Sequence, residues 1–109
     1  MAEIDARPEG ETIPDERRVR LGRIQFRAWR RGFREADMVL GPFADAVAPT
    51  LDDDELTAFE ALLDQEDQYL YAWIIGREPT PTAFEGPVMA AIRAYMREHV
   101  AAHVGRGIG

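Results

Sequence analysis

The stretch Trp29-Arg30-Arg31-Gly32-Phe33-Arg34-Glu35 separates two runs of opposite charge. Residues 17–34 carry Arg17, Arg18, Arg20, Arg23, Arg27, Arg30, Arg31 and Arg34 and no acid, whereas residues 35–67 carry eleven acids and no base. Glycine just past a helix end supplies the positive φ that such an end often needs, and arginine there complements the exposed carbonyls. An acid following the glycine favours the positive end of the next helix. The stretch therefore reads as helix, reversal, helix, and its charges are accounted for by those two ends alone.

Upstream, Leu21, Ile24 and Ala28 recur at helical spacing, with Phe26 and Trp29 widening the apolar side. The spacing predicts a helix over about 14–31, capped by Thr12, with Pro14, Asp15 and Glu16 in its first turn. At 100° per residue Arg20, Arg23, Arg27, Arg30 and Arg31 fall on another side and form a basic ridge that leads to Gly32. A solvated face is the plainest account of such a ridge.

Downstream, Ala36, Val39, Leu40, Phe43 and Val47 predict a helix over about 33–48, bent or interrupted at Gly41-Pro42. Asp52 with Glu55 three residues later has the form of a capping box for a third helix over about 53–64. A fourth, short helix carries Tyr69, Leu70, Tyr71, Trp73, Ile74 and Ile75, is capped by Asp67, ends at Gly76 and should be largely buried. Pro79, Pro81, Gly86 and Pro87 make the next link irregular, with a helical turn starting at Thr80 or Thr82. Val88, Ala91, Ile92, Tyr95, Met96 and His99 then mark a last helix over about 87–103. No strand alternation, repeat or sustained heptad interrupts the pattern, so the expected fold is all-α, a small bundle of about five short helices. Residues 13–104 are expected to form one domain, residues 1–12 a disordered or loosely attached acidic lead-in, and residues 105–109 a frayed end.

Composition narrows the chemistry. With 109 residues and 46% apolar content the chain supports one modest core. It has no cysteine, which removes disulfides, cysteine-based zinc or iron–sulfur sites and a thiol nucleophile. No apolar run approaches bilayer length, and the first sixteen residues resemble neither a secretory signal nor, with six acids against Arg7, a mitochondrial transit peptide. A bacterial cytoplasmic protein without membrane insertion is expected. The net charge of −7 opposes general nucleic-acid binding, although a phosphate-tracking helix built on the arginine ridge stays open as an alternative. An adaptor that oligomerises through exposed aromatics is a third class.

His99 and His103 are four apart, but no His-Glu-x-x-His arrangement supplies further chemistry, so no metal site is expected. Asp52-Asp53-Asp54-Glu55 lacks the spacing and central glycine of a calcium loop, and helix capping explains it. There is no lysine for a Schiff base, no phosphate-cradling glycine loop and no Ser/His/Asp pattern. A catalytic residue is therefore not expected anywhere, and the junction remains the strongest candidate for function.

Arg31-Gly32-Phe33-Arg34-Glu35, preceded by Trp29-Arg30 and followed by Asp37, Met38-Val39-Leu40, Phe43, Phe59-Glu60, Leu62-Leu63, Asp67, Leu70-Tyr71-x-Trp73-Ile74, Gly76 and Pro79, resembles the succinate dehydrogenase flavinylation (FAD assembly) factors, SdhE-like proteins with an Arg-Gly-x-x-Glu motif. The likeness extends over roughly 18–81. It implies a small helical, non-enzymatic assembly factor that binds the flavoprotein subunit of succinate dehydrogenase, and in bacteria the related fumarate reductase. Such a factor promotes covalent attachment of FAD to a histidine of that client; the FAD belongs to the client and none is bound stably by the factor. The resemblance also implies a monomer whose contact surface is Arg31, Gly32 and Glu35, extended by Trp29, Arg30 and Arg34; Asp67 and Trp73 are assigned structural roles, one capping and one packing.

Overall fold

The computed structural model describes the backbone of residues 15–108 and the side chains of residues 15–99. Five helices follow one another: α1 (Asp15–Trp29), α2 (Arg34–Ala46), α3 (Asp53–Leu63), α4 (Asp67–Ile74) and α5 (Pro87–Ile108), with 3₁₀ turns at Ala48–Thr50 and Thr82–Phe84. No strand occurs among the described residues, and the all-α expectation holds. The lead-in and the Thr12 cap lie outside the described residues.

The predicted apolar stripes converge on one core of Ile24, Leu40, Phe43, Leu56, Phe59, Leu70, Ile74 and Ile92, joined by Met89. Burial of each such side chain contributes about 1.5–3 kcal/mol. Phe43 of α2 stands at its centre, edge-on to Phe59 of α3 at 5.2 Å and to Tyr95 of α5 at 5.8 Å. Trp73 stacks on Phe84 at 5.3 Å, which fastens the Thr82–Phe84 turn to α4. Arg93 ties the same link down by donating to the Trp73 carbonyl and the Thr80 hydroxyl.

Several local expectations are corrected. Phe26 is 60% exposed rather than in the core, with the Arg30 guanidinium 4.7 Å above its ring. Its position is too far around α1 from the Leu21–Ile24–Ala28 stripe to reach α2 or α3. Tyr69 likewise projects to solvent from the otherwise apolar α4. The second helix is not interrupted at Gly41-Pro42: Pro42 lies inside α2 and removes only one backbone bond, while Gly41 is buried for a different reason. A Cβ at Gly41 would come within 2.3–2.6 Å of the Trp29 indole, so the glycine admits the close crossing of α1 over α2. The last helix continues to Ile108 instead of stopping near 103, since Gly105 and Gly107 weaken a helix but do not remove its hydrogen bonds as proline would.

The α3 capping box is present as expected: Asp52 Oδ1 accepts from the Glu55 N–H at 2.8 Å and Glu55 Oε1 from the Asp52 N–H at 2.9 Å. Asp67 does not cap α4. Glu66 holds the cap position, and the Asp67 carboxylate turns to Arg31.

Charge reversal along the chain becomes charge pairing in space. Arg17 of α1 meets Asp53 at 3.2 Å and donates to the Leu51 carbonyl, Arg20 meets Glu60 and the Thr57 hydroxyl at 2.8 Å each, and Arg27 meets Asp64 at 2.5 Å. Partly exposed pairs contribute only about 0–1 kcal/mol each. Their larger effect is to select one register of α1 against α3, because a shift of one residue would bring unlike partners apart. The hydrogen bond from Arg20 holds the Glu60 carboxyl below the ordinary glutamate range, against the opposing effect of burial.

Candidate functional site

Residues 30–33 connect α1 to α2, and Gly32 is the hinge of the reversal with φ +84°, as the sequence predicts. Three side chains lock this turn from within. The Asp37 carboxylate, one turn into α2, accepts the Arg31 backbone N–H at 3.2 Å. The Arg31 side chain points inward and is only 7% exposed. Its two terminal nitrogens donate to the Leu63 carbonyl at 2.8 Å and the Gln65 carbonyl at 2.6 Å, and its Nε lies 2.5 Å from Asp67 Oδ1. The Nε–Asp67 contact is an ion pair without hydrogen-bond alignment. Leu63 and Gln65 stand at the end of α3, where carbonyls lack helical donors, so a planar fork of cationic N–H groups is matched to a negative helix end and a carboxylate together.

The six residues singled out by sequence thus separate into two groups. Arg31 is committed to the α3–α4 connection, and its donors are not presented to solvent. Trp29 is 44% exposed, with its ring over Gly41 and its Nε1 donating to Asp45 at 3.0 Å, so it too braces the junction. Arg30, Gly32, Arg34 and Glu35 are exposed. Glu35 makes no hydrogen bond or ion pair with any described residue. Phe33, half-buried, packs edge-on to Tyr71 of α4 at 5.3 Å and so fixes where α2 begins.

Beside Glu35 opens an apolar recess of about 370 Å³ between α2, α4 and α5, lined by Met38, Val39, Tyr71, Tyr95, Met96 and His99. Met38 is 65% exposed at its rim. The Tyr95 and His99 rings lie against each other at 4.1 Å, forming the α5 wall. Burial, aided by the negative charge of Asp45, pushes the Tyr95 phenol above its ordinary range. Sequence reasoning missed this recess. Met38 and Val39 were visible beside the motif, but Tyr95, Met96 and His99 belong to a helix that is far away in the chain, and only packing brings them to Glu35.

Among the described residues no group of three or more histidine or acidic side chains is placed to hold a metal ion, and His103 lies beyond the described side chains. No described helix is long and apolar enough to cross a membrane.

Residues 22–96 match the family described as "Flavinator of succinate dehydrogenase". The chain belongs to that family. Similar proteins include "FAD assembly factor SdhE" of Acetobacter pasteurianus, 38% identical over 71 residues that make up 65% of each chain. "FAD assembly factor SdhE" of Shewanella oneidensis is 38% identical over 63 residues, 58% of this chain and 76% of that one. "Succinate dehydrogenase assembly factor 2, mitochondrial" of Cryptococcus neoformans is 28% identical over 91 residues, 83% of this chain and 51% of that one. The matched segments thus span from about half to three quarters of these relatives' own lengths.

The flavinator match runs from α1 through the first half of α5, past residue 81 where the recognisable motifs of the sequence end. Val88, Met89 and Ile92 of α5 are core residues, so the flavinator domain includes this helix as a packing element. The Arg-Gly-x-x-Glu motif of this chain then has an inward half, Arg31, and an outward half, Gly32 and Glu35.

Proposed function

We propose that this protein is a non-catalytic assembly factor that binds the flavoprotein subunit of succinate dehydrogenase, or of the related fumarate reductase, and promotes covalent attachment of FAD to a client histidine. The observation that carries this is the outward half of the motif: Glu35 is exposed and has no partner among the described residues, beside an exposed glycine, on a turn that buried Arg31 holds rigid. A partner surface of this kind gains affinity from being pre-organised, because little ordering entropy remains to be lost on binding. Gly32 permits close backbone approach, Glu35 offers two acceptor oxygens, and Arg30 and Arg34 extend the patch.

The factor acts by favouring a client conformation in which histidine and flavin are in reactive geometry, that is by orientation and population shift. The flavin remains the client's, and the attachment chemistry is the client's own. The factor works as a monomer in the bacterial cytoplasm. The alternative of a phosphate-tracking helix is disfavoured by the engagement of Arg17, Arg20, Arg27 and Arg31 with Asp53, Glu60, Asp64 and Asp67. These pairs weaken the field that would attract a phosphate backbone.

Co-expression with the flavoprotein, followed by in-gel fluorescence of covalent flavin, tests the proposal. Glu35→Ala should leave the helical content and melting temperature unchanged and lower covalent flavin severalfold. Undiminished flavinylation by a folded Glu35→Ala protein that also carries Gly32→Asn would sink the assignment of this face.

A further inference from the structure

The recess beside Glu35 has no counterpart in the motif. A solvent-open pocket walled by two methionines, two tyrosines and a valine leaves apolar surface hydrated, a cost that a folded protein usually avoids unless the surface is covered in use. Methionine side chains bend to fit an irregular guest, and tyrosines offer a ring face together with a polar tip. Among the described residues the only carboxylate on its lining is Glu35, and no described arginine lines it. Glu35 is at once the last residue of the motif and the rim of the recess, so a partner that reaches one lies over the other.

Charge narrows the occupant. A second copy of this chain, with net charge −7, would approach against like-charge repulsion, and the chain's own first sixteen residues, with six acids against Arg7, would bring further acids to Glu35. A guest that complements both features carries a bulky apolar side chain for the recess and a cation for the exposed Glu35 carboxylate, which pairs with no described residue. Resting on the function proposed above, we infer that the recess between α2, α4 and α5 receives a bulky apolar side chain of the client flavoprotein, next to a client arginine or lysine that pairs with Glu35. Met38 and Met96 are therefore specificity-determining contacts, and α5 is part of the docking surface.

The test places the photoreactive residue p-benzoyl-phenylalanine at position 96, and separately at position 34, in the full chain, with irradiation in the presence of the purified flavoprotein subunit and peptide mapping of the adduct. The expected result is an adduct from position 96 on a client peptide that holds an apolar residue adjacent to arginine or lysine. An adduct from position 34 without one from position 96, an adduct on a client peptide lacking a basic residue, or an adduct from position 96 to another copy of this chain overturns the recess assignment. If neither position yields a client adduct, the docking function itself fails with it. In calorimetric titrations against the same subunit, Glu35→Arg should raise Kd by about tenfold or more, as loss of an interfacial charge pair does. Met38→Asp, at a position exposed enough to leave the fold intact, should raise it comparably, and an unchanged Kd for a folded Met38→Asp protein refutes the apolar contact.

Discussion

Replacing Arg31 by methionine keeps much of the buried stem and removes every donor. Three acceptors then lose their partner at once: the Leu63 and Gln65 carbonyls and the Asp67 carboxylate. A hydrogen bond to a charged group is worth about 1.5–3 kcal/mol, and stranding a buried charge costs about 3–5 kcal/mol. Asp67 remains 32% exposed and water can reach the α3–α4 connection, which discounts both terms. The net loss is about 3 kcal/mol, or a fall in melting temperature on the order of 10–20 °C for a domain of this size. Circular dichroism melts at 222 nm read it directly. Asp67→Asn should cost less, about 1–2 kcal/mol, since the two carbonyl bonds survive. The double variant should fall short of the sum of the two single losses, because Arg31 and Asp67 share one contact. A melting temperature for Arg31→Met within 2–3 °C of the unaltered protein, well inside the predicted shift, would refute the inward role of Arg31 and return it to the exposed docking face. Flavinylation by Arg31→Met at a temperature where it is folded should recover further than that by Glu35→Ala, since Arg31 acts by holding the turn.

Gly41→Ala should destabilise by about 1–3 kcal/mol and shift the tryptophan emission, because its Cβ drives the Trp29 indole off α2 and away from Asp45. Gly32→Ala meets no atom within 4 Å yet should lose about 1–2 kcal/mol from the left-handed backbone alone, and Gly32→Asn, which tolerates that region better, should lose less in the same urea titration. Glu60 contributes stability that is present above the ordinary glutamate value of 4.5 and lost as pH falls through its lowered folded value; Glu60→Gln should therefore flatten the decline in melting temperature below that pH. An unaltered slope would mean that Arg20 does not hold the carboxylate. Asp52→Ala removes the α3 cap and should cost about 0.5–2 kcal/mol by the same melts.

Local chemistry made much of this protein legible from its residues. The helical stripes of Leu21–Ile24–Ala28 and Leu56–Phe59–Leu62–Leu63, the Asp52–Glu55 cap and the positive φ of Gly32 depend on neighbours within a few positions, and each appears where periodicity or turn chemistry places it. The Arg-Gly-x-x-Glu motif likewise pointed to the junction. Its division of labour was not legible, since a string of residues carries no direction: Arg31 turns inward because the open carbonyls of α3 and the Asp67 carboxylate lie within reach of its fork, whereas Glu35 stays exposed and pairs with no cation among the described residues. Gly41 read as a weak point and is a crossing point, for the Trp29 ring that occupies its missing Cβ comes from another helix.

Spacing of apolar side chains every three to four residues is a property of the chain, so the sequence by itself determined five helices and an all-α class, and it singled out the Trp29–Glu35 junction as the candidate site. The partners of the arginines and the recess beside Glu35 depend on which helix faces meet, and Arg31 lies over thirty positions from its acceptors while Tyr95 and Met96 lie about sixty from Glu35. Only close packing of α2 against α3, α4 and α5 around Phe43 brings those groups together, and with them the surface a partner would meet.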